Sequence, residues 1–270
     1  MIKQVIELLG EDRPKKYLGQ NFLIDKNIID KIIKVADIKK TDLILEVGPG
    51  LGFLTKELTS RAKQVIAVEK DKKMVDILEK EPVKNLQVWN DDILKVSEAQ
   101  LRKGFGGKPY RIIANLPYNI TSHFIRQFLE TDYPPQEMIL MVQREVAERI
   151  MSTPPNMNLL GISVQFFSEP KIEFIVRPGS FFPSPKVDSA IIHLKNIKVD
   201  KKKVDYKKFF EIVRLGFGQK RKQLKNNLKD TGGEGRLSEV GLKETVRAQE
   251  LSLEDWVNLV NKIDRDDNEF

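Results

Sequence analysis

The apolar run Leu43–Val47 (LILEV) leads straight into three alternating glycines, Gly48-Pro-Gly50-Leu-Gly52, and a helical pattern follows. This unit constrains the fold more than any other part of the chain. A strand that is apolar without alternation is buried on both faces, as in a parallel sheet covered by helices. Glycines at its carboxyl end permit positive φ and let the main chain approach a ligand closely. The following segments repeat the theme. Val65–Glu69, Leu86–Trp89, Arg111–Ala114 and Met138–Val142 read as further strands. Between them the apolar spacing is helical: Ile28, Ile29, Ile32, Ile33 and Ala36 follow Asp25 as N-cap, and Ile125, Phe128 and Leu129 follow Thr121 and Ser122.

Beyond Pro170 the pattern changes. Lys171–Val176 and Ser189–Leu194 read as two strands joined by a Pro-rich loop, an antiparallel pair closing the sheet. After Val199 no strand is expected. Tyr206, Phe209, Phe210, Val213 and Phe217 take helical spacing, as do Leu253, Trp256, Val257 and Val260 after a Ser252/Asp255 capping box. The expected architecture is α/β: a Rossmann-like, mostly parallel sheet with an antiparallel last strand in residues 1–198, and a small all-α domain in 199–270.

The glycine turn narrows the ligand. Glu69 ends the next strand about twenty residues on, where a carboxylate can accept both ribose hydroxyls. Position 53 is Phe, so the G-x-G-x-x-G of nicotinamide-binding proteins is not met, and no G-x-x-x-x-G-K-[ST] is present. A G-x-G-x-G turn preceded by an acid, here Glu46, looks like a class I S-adenosylmethionine-dependent methyltransferase. That pattern calls for a third acid after the third strand, toward the adenine amino group, and Asn90-Asp91-Asp92 offers Asp92.

The fourth strand ends in Asn115-Leu116-Pro117-Tyr118. The exocyclic amine of adenine is a weak nucleophile, because its lone pair is delocalised into the ring. The Asn115 amide oxygen and a main-chain carbonyl, of Leu116 or Pro117, can accept its two hydrogens and favour a pyramidal nitrogen. Proline fixes the turn, and Tyr118 offers a stacking face for an extruded base. No strong base is needed, since the nitrogen becomes cationic before it sheds a proton. Catalysis is then mainly positioning.

With these residues in view, the chain resembles the small-subunit ribosomal RNA adenine N6-dimethyltransferases. The resemblance runs from about Lys15 to Leu253. It rests on Lys16-Tyr-Leu-Gly-Gln-Asn21-Phe-Leu23, Glu46–Gly52, Asn115–Tyr118, Phe181-Phe-Pro-Ser-Pro-Lys-Val-Asp-Ser189 and the basic stretch Gln219–Leu228. It implies that Asn21 and Leu23 close over the methionine part of S-adenosylmethionine, with Gly48 against the cofactor, Glu69 on its ribose and Asp92 on its adenine. Asn115 would serve both substrates, and Tyr118 and Phe181 would sandwich the target adenine. The family places two methyls on each of two adjacent adenines near the 3′ end of 16S rRNA, on a partly assembled subunit. Two positions depart from its usual pattern: Asp91 stands where Gly is common, and Phe182 where a polar residue is usual.

The charge points the same way. The net +7 is uneven: residues 201–230 hold eleven Lys and Arg against three acids, a local +8, so the other 240 residues sum to −1. Lys220, Arg221, Lys222 and Lys225 are expected on about a turn and a half of helix, with Leu224 and Leu228 inward, as phosphate contacts for RNA. A solvated helix surface would carry such charges too. The chain has no cysteine, which excludes a disulfide scaffold, thiolate metal sites and the cysteine nucleophile of cytosine C5 methylation. His123 and His193 are expected to be structural, without partner ligands, and no metal is expected. No apolar run is long enough to span a membrane. A monomer in the cytoplasm is the expected state. Two readings compete with the main one: a large-subunit rRNA adenine methyltransferase of the antibiotic-resistance type, and a non-catalytic RNA-binding assembly or transcription factor on the same fold.

Overall fold

All five residues of Leu43–Val47 are buried, and the main sheet extends to either side of them. The computed structural model describes residues 2–10, 13–15, 18–198, 205–219, 221–231 and 235–267. The chain divides into two compact units, Met1–Ala147 with Glu169–Ile197, and Glu148–Ser168 with Lys198–Phe270.

In the first unit α1 (Ile2–Leu9) and β1 (Phe22–Leu23) precede α2 (Lys26–Ala36). Strand and helix then alternate through β2 (Leu43–Val47), α3 (Phe53–Thr59), β3 (Gln64–Glu69), α4 (Lys72–Glu79), β4 (Leu86–Asn90), α5 (Glu98–Gly104), β5 (Arg111–Asn115), α6 (Thr121–Leu129), β6 (Met138–Gln143) and α7 (Arg144–Ile150). After α8 (Leu159–Phe167) come β7 (Glu169–Val176), β8 (Phe181–Phe182) and β9 (Ser189–Lys195).

The seven-stranded sheet has the order β4-β3-β2-β5-β6-β9-β7. Its strands β2 to β6 pair in parallel. The last strand of the chain, β9, runs antiparallel between β6 and β7, as expected. The winding starts at β2, goes outward through β3 and β4, and resumes on the other side with β5. Such a reversal opens a crevice at the carboxyl ends of β2 and β5. The expected N-cap of α2 is present, with Asp25 Oδ1 accepting from Asn27 N at 3.0 Å. Ile28, Ile29, Ile32 and Ala36 of α2 pack with Leu54 and Leu58 of α3 on Ile44, Val65, Ile113 and Ile139.

Two features had no sequence counterpart. The ribbon of β1 and β8 pairs Phe22 with Phe182 and Leu23 with Phe181. Helix α1 buries Val5 and Leu9 in a cluster with Phe22, Leu51 and Met74. Near the opposite edge, His193 is not without partners: its Nε2 lies 2.7 Å from Glu137 Oε2 and its Nδ1 3.4 Å from Glu173 Oε1. The expectation for His193 is corrected accordingly. It faces a carboxylate beside each neighbouring strand.

The second unit is helical, with α8, α9 (Tyr206–Gly216), α10 (Leu224–Asn227) and α11 (Leu253–Asp267). It is larger than the expected 199–270 domain, because Glu148–Ser168 joins it. Aromatic packing is the reason. Phe166 and Phe167 of α8 stack on Phe209 and Phe210 of α9, with centroids 4.5 and 5.5 Å apart. Gly216 admits the Trp256 ring of α11, since a Cβ there would lie 2.4 Å from it. The Ser252/Asp255 capping box forms, with Asp255 N donating to Ser252 Oγ at 3.1 Å and Ser252 N to Asp255 Oδ2 at 2.8 Å.

The basic stretch is not the expected turn and a half of helix. Lys220 lies outside the described residues. Arg221 and Lys222 sit in a turn, and α10 spans only Leu224–Asn227. Asn227 explains the break: its amide donates to the Gly216 and Gln219 carbonyls at 2.6 and 3.2 Å, tying the segment back on the end of α9. Leu224 and Leu228 are buried, as expected. Among the described residues no helix is long and apolar enough to cross a membrane.

Candidate active site

The crevice at the ends of β2 and β5 is a cleft lined by the glycine turn, the ends of β3 and β5, the segment Asp91–Ile93 after β4, and the segment entering β1. Each of these five segments carries residues named from the sequence, those entering β1 through the family resemblance.

The glycine turn adopts positive φ at each glycine, 64° at Gly48, 55° at Gly50 and 80° at Gly52. At Gly50 the fit is also steric: a Cβ would meet the Phe22 ring at 3.0 Å. Gly48 and Gly50 line the cleft, whereas Gly52 caps α3 and is not part of the wall. A Cβ at Gly48 would stand 3.6 Å from the Pro117 ring and 3.9 Å from the Asn115 carbonyl oxygen. A side chain at position 48 would therefore fill the space between the glycine turn and the Asn115 motif.

Two carboxylates are buried in the cleft. Glu46 is 1% exposed, and its Oε2 is buried with no hydrogen-bond partner. Burial pushes its pKa up to about 8, with the Thr55 hydroxyl opposing and the Glu69 charge adding to the rise. Glu69 is also buried, which raises its pKa, but the main-chain N–H groups of Asp71 and Gly50 oppose the rise. They donate to its Oε1 at 2.8 Å and its Oε2 at 3.1 Å. Each oxygen keeps lone pairs for a ligand diol.

Asp92 lies at the outer wall. Burial works against its charge, but Lys70, with Nζ 2.9 Å from Oδ2, and the Leu94 N–H hold its pKa below the usual carboxylate range. The Asp91 departure is absorbed locally, because its Oδ1 accepts from Asp92 N at 2.7 Å.

On the acceptor side Asn115, Leu116, Pro117 and Tyr118 all line the cleft. The Asn115 amide donates from Nδ2 to the Asn21 carbonyl at 3.1 Å, so its oxygen is the atom left for a ligand. The Pro117 carbonyl already accepts from Ile120 N at 3.2 Å and Thr121 Oγ1 at 3.3 Å. Of the two carbonyls the sequence left open, that of Leu116 is the better placed to serve a substrate amine. The Tyr118 hydroxyl is 2.7 Å from Ser189 Oγ, which fixes the ring. Asn21 and Leu23 line the cleft as well.

Phe181 does not reach the cleft. It is 3% exposed and packs in the core with Leu23, Ile28 and Ile29. Successive strand residues face opposite sides, so the partly exposed ring of the pair is Phe182, which packs beside Val5, Leu9 and Phe22 and does not line the cleft either. Arg221 and Lys222 are exposed in the second unit, while Lys225 is half-buried with Nζ 3.8 Å from Glu244 Oε2. Sequence reasoning missed Lys15, Gln20 and Asp71, which join the segment before β1 to the end of β3. No spacing signal marks a contact across that separation.

Sheet order, glycine turn and carboxylates at the switch point together define a Rossmann-like class I methyltransferase. Two solved structures share the architecture. One is a dimethyladenosine transferase from Plasmodium falciparum, with TM-score 0.75 and 26% identity over 90% of this chain and 98% of that one. The other is the 23S rRNA methyltransferase ErmE, with TM-score 0.70 and 26% identity over 90% and 100%. Residues 11–265 match the family described as "Ribosomal RNA adenine dimethylase", and the chain belongs to that family. It is 41% identical to the "Ribosomal RNA small subunit methyltransferase A" of Dehalococcoides mccartyi, covering 92% of this chain and 87% of the relative. With the protein of the same name from Mycoplasma capricolum it shares 40% identity over 93% and 98%.

Proposed function

We propose that the protein transfers methyl groups from S-adenosylmethionine to the N6 amines of two adjacent adenines near the 3′ end of 16S rRNA, two on each. The observation that carries this reading is the orientation of Asn115, whose amide nitrogen is engaged by the Asn21 carbonyl so that its oxygen is left for an incoming amine. Family membership and about 40% identity to small-subunit enzymes support the choice of RNA.

The cleft suits the cofactor. An orphaned, buried Glu46 oxygen is answered by a cationic ligand. Glu69 is set to accept from ribose hydroxyls and Asp92 from the adenine amino group, with Gly48 and Gly50 giving the main chain close approach. Asn21 and Leu23 close the methionine end. When bound, S-adenosylmethionine supplies an electrophilic methyl on a sulfonium sulfur. The chain's own residues position the acceptor: Asn115 Oδ1 and the Leu116 carbonyl take the two amine hydrogens, and Tyr118, held by Ser189, stacks on the extruded base. Holding both substrates in register is the main source of rate.

In this reading an assembling small subunit in the cytoplasm is the substrate, the protein acts as a monomer, and Lys220, Arg221, Lys222 and Lys225 of the helical unit dock on rRNA phosphates. The test is primer extension on both ribosomal RNAs after methylating subunits from a strain lacking the activity. A stop at paired adenines near the 3′ end of the small-subunit RNA is expected. A stop on large-subunit RNA would overturn the choice of substrate, and no stop on either would overturn the enzymatic reading.

A further inference from the structure

Asp71 joins the two walls of the cleft. Its side chain is 3% exposed and accepts three hydrogen bonds. Lys15 Nζ donates to Oδ1 at 2.8 Å, Gln20 Nε2 donates to Oδ2 at 2.8 Å, and Lys73 N donates to Oδ1 at 3.2 Å as the cap of α4. Gln20 is fixed at its other end, where Oε1 accepts from Lys15 N at 2.7 Å. The main-chain N–H of Asp71 donates to Glu69 Oε1.

Two chains of hydrogen bonds leave this residue. One runs through Glu69 to the Gly50 N–H. The other runs through Gln20 to the segment Leu18–Asn21, which lines the cleft, and through the Asn21 carbonyl to Asn115. Both start from hydrogen bonds around a buried charge, the kind that is strong and directional. Nothing about the fold of the sheet requires Lys15 and Gln20 to end on one carboxylate. The cap of α4 needs only a single acceptor at Asp71.

We propose that Asp71 is a positioning residue for cofactor binding: it clamps the Leu18–Asn21 segment over the cleft and ties that segment to the carboxylate of Glu69. It touches neither substrate and acts through Gln20 and Glu69. The consequence is a split between binding and turnover. Without the clamp, cofactor must order the segment itself, so affinity falls. Once cofactor saturates the site, the segment is held and turnover recovers.

The experiment uses the full chain, with S-adenosylmethionine and S-adenosylhomocysteine as probes in titration calorimetry. Asp71→Asn keeps an acceptor for the α4 cap, and Gln20→Ala leaves α4 untouched, so both should fold. Each should weaken both probes about tenfold, and the double variant should be no weaker than the worse single one, because the two residues act in one contact. The KM for S-adenosylmethionine should rise by a similar factor while kcat changes less than about threefold. Hydrogen exchange of residues 18–23 should quicken in both variants without cofactor, with β2 to β5 unchanged. The inference rests on the methyltransferase reading, and the arms separate the two. Failure of the wild-type chain to bind either probe would overturn that reading. Wild-type binding with unchanged affinity in both variants, or additive losses, would overturn the role of Asp71.

Discussion

The Asn115 side-chain nitrogen donates to the main-chain oxygen of Asn21 at 3.1 Å. The two residues are far apart in sequence, one at the end of β5 and the other just before β1. Their contact sets the direction of the amide that distinguishes the acceptor motif. It also makes the cofactor-side segment and the acceptor-side strand answer to each other.

Asn115→Ala should lower kcat for methyl transfer by at least about a hundredfold, as for loss of a group that polarises the reacting centre. Cofactor affinity should fall only a few-fold, since Glu46, Glu69 and Asp92 remain. Single-turnover methylation together with calorimetry measures both quantities. Full activity in the variant would remove Asn115 from the acceptor site.

Glu46 makes cofactor binding depend on pH. Its ordinary value of 4.5 is raised to about 8 by burial. Between those values the folded chain holds a proton that the unfolded chain has lost, so this group's contribution to stability declines as pH rises through that window. A cationic cofactor favours the carboxylate. Below about pH 8 its binding should therefore release a proton, and affinity should climb with pH before levelling above 8. Calorimetry in buffers of different ionisation enthalpy counts the proton, and Glu46→Gln should eliminate that release.

The two phenylalanines should separate stability from chemistry. Phe181→Ala removes a buried core ring and should cost about 3–5 kcal/mol in denaturant unfolding. Phe182→Ala, at a partly exposed position, should cost less. Methyl-transfer rates measured where both variants are folded then show which ring serves the adenine. Neither ring lines the cleft and Phe182 packs beside Val5, Leu9 and Phe22, but Phe182 is the less buried of the two, so a larger kcat loss is expected in Phe182→Ala. The opposite order would mean that Phe181 leaves the core to reach the base.

Replacing Lys220, Arg221, Lys222 and Lys225 by Gln should weaken RNA binding and flatten its salt dependence. The log–log slope should fall by about 0.7–0.9 for each phosphate that is no longer neutralised. Lys225→Gln alone should have the smallest effect, because Lys225 already faces Glu244. An unchanged slope in the fourfold variant would identify the stretch as a solvated surface.

Much of this site is legible because its parts are local. A glycine turn after a buried strand, an acid at the end of the next strand and Asn-Leu-Pro-Tyr at the end of another are each set by a few consecutive residues. The parallel order then carries all of them to one edge of the sheet. The long strands were equally readable, since β-branched runs bounded by turn residues have few alternatives. The ribbon of β1 and β8 was not, because two residues per strand leave no period to detect.

The sequence by itself determined the α/β alternation, the glycine turn, the candidate carboxylates Glu46, Glu69 and Asp92, and the acceptor motif. These depend on backbone preference and short-range order. Tertiary structure alone decided that Phe181 faces the core, that α8 packs with α9, that the basic stretch turns at Asn227, and that Lys15 and Gln20 converge on Asp71. Each of these is a choice among side-chain directions and distant partners. Packing and buried charge settle such choices, and neither leaves a spacing in the sequence.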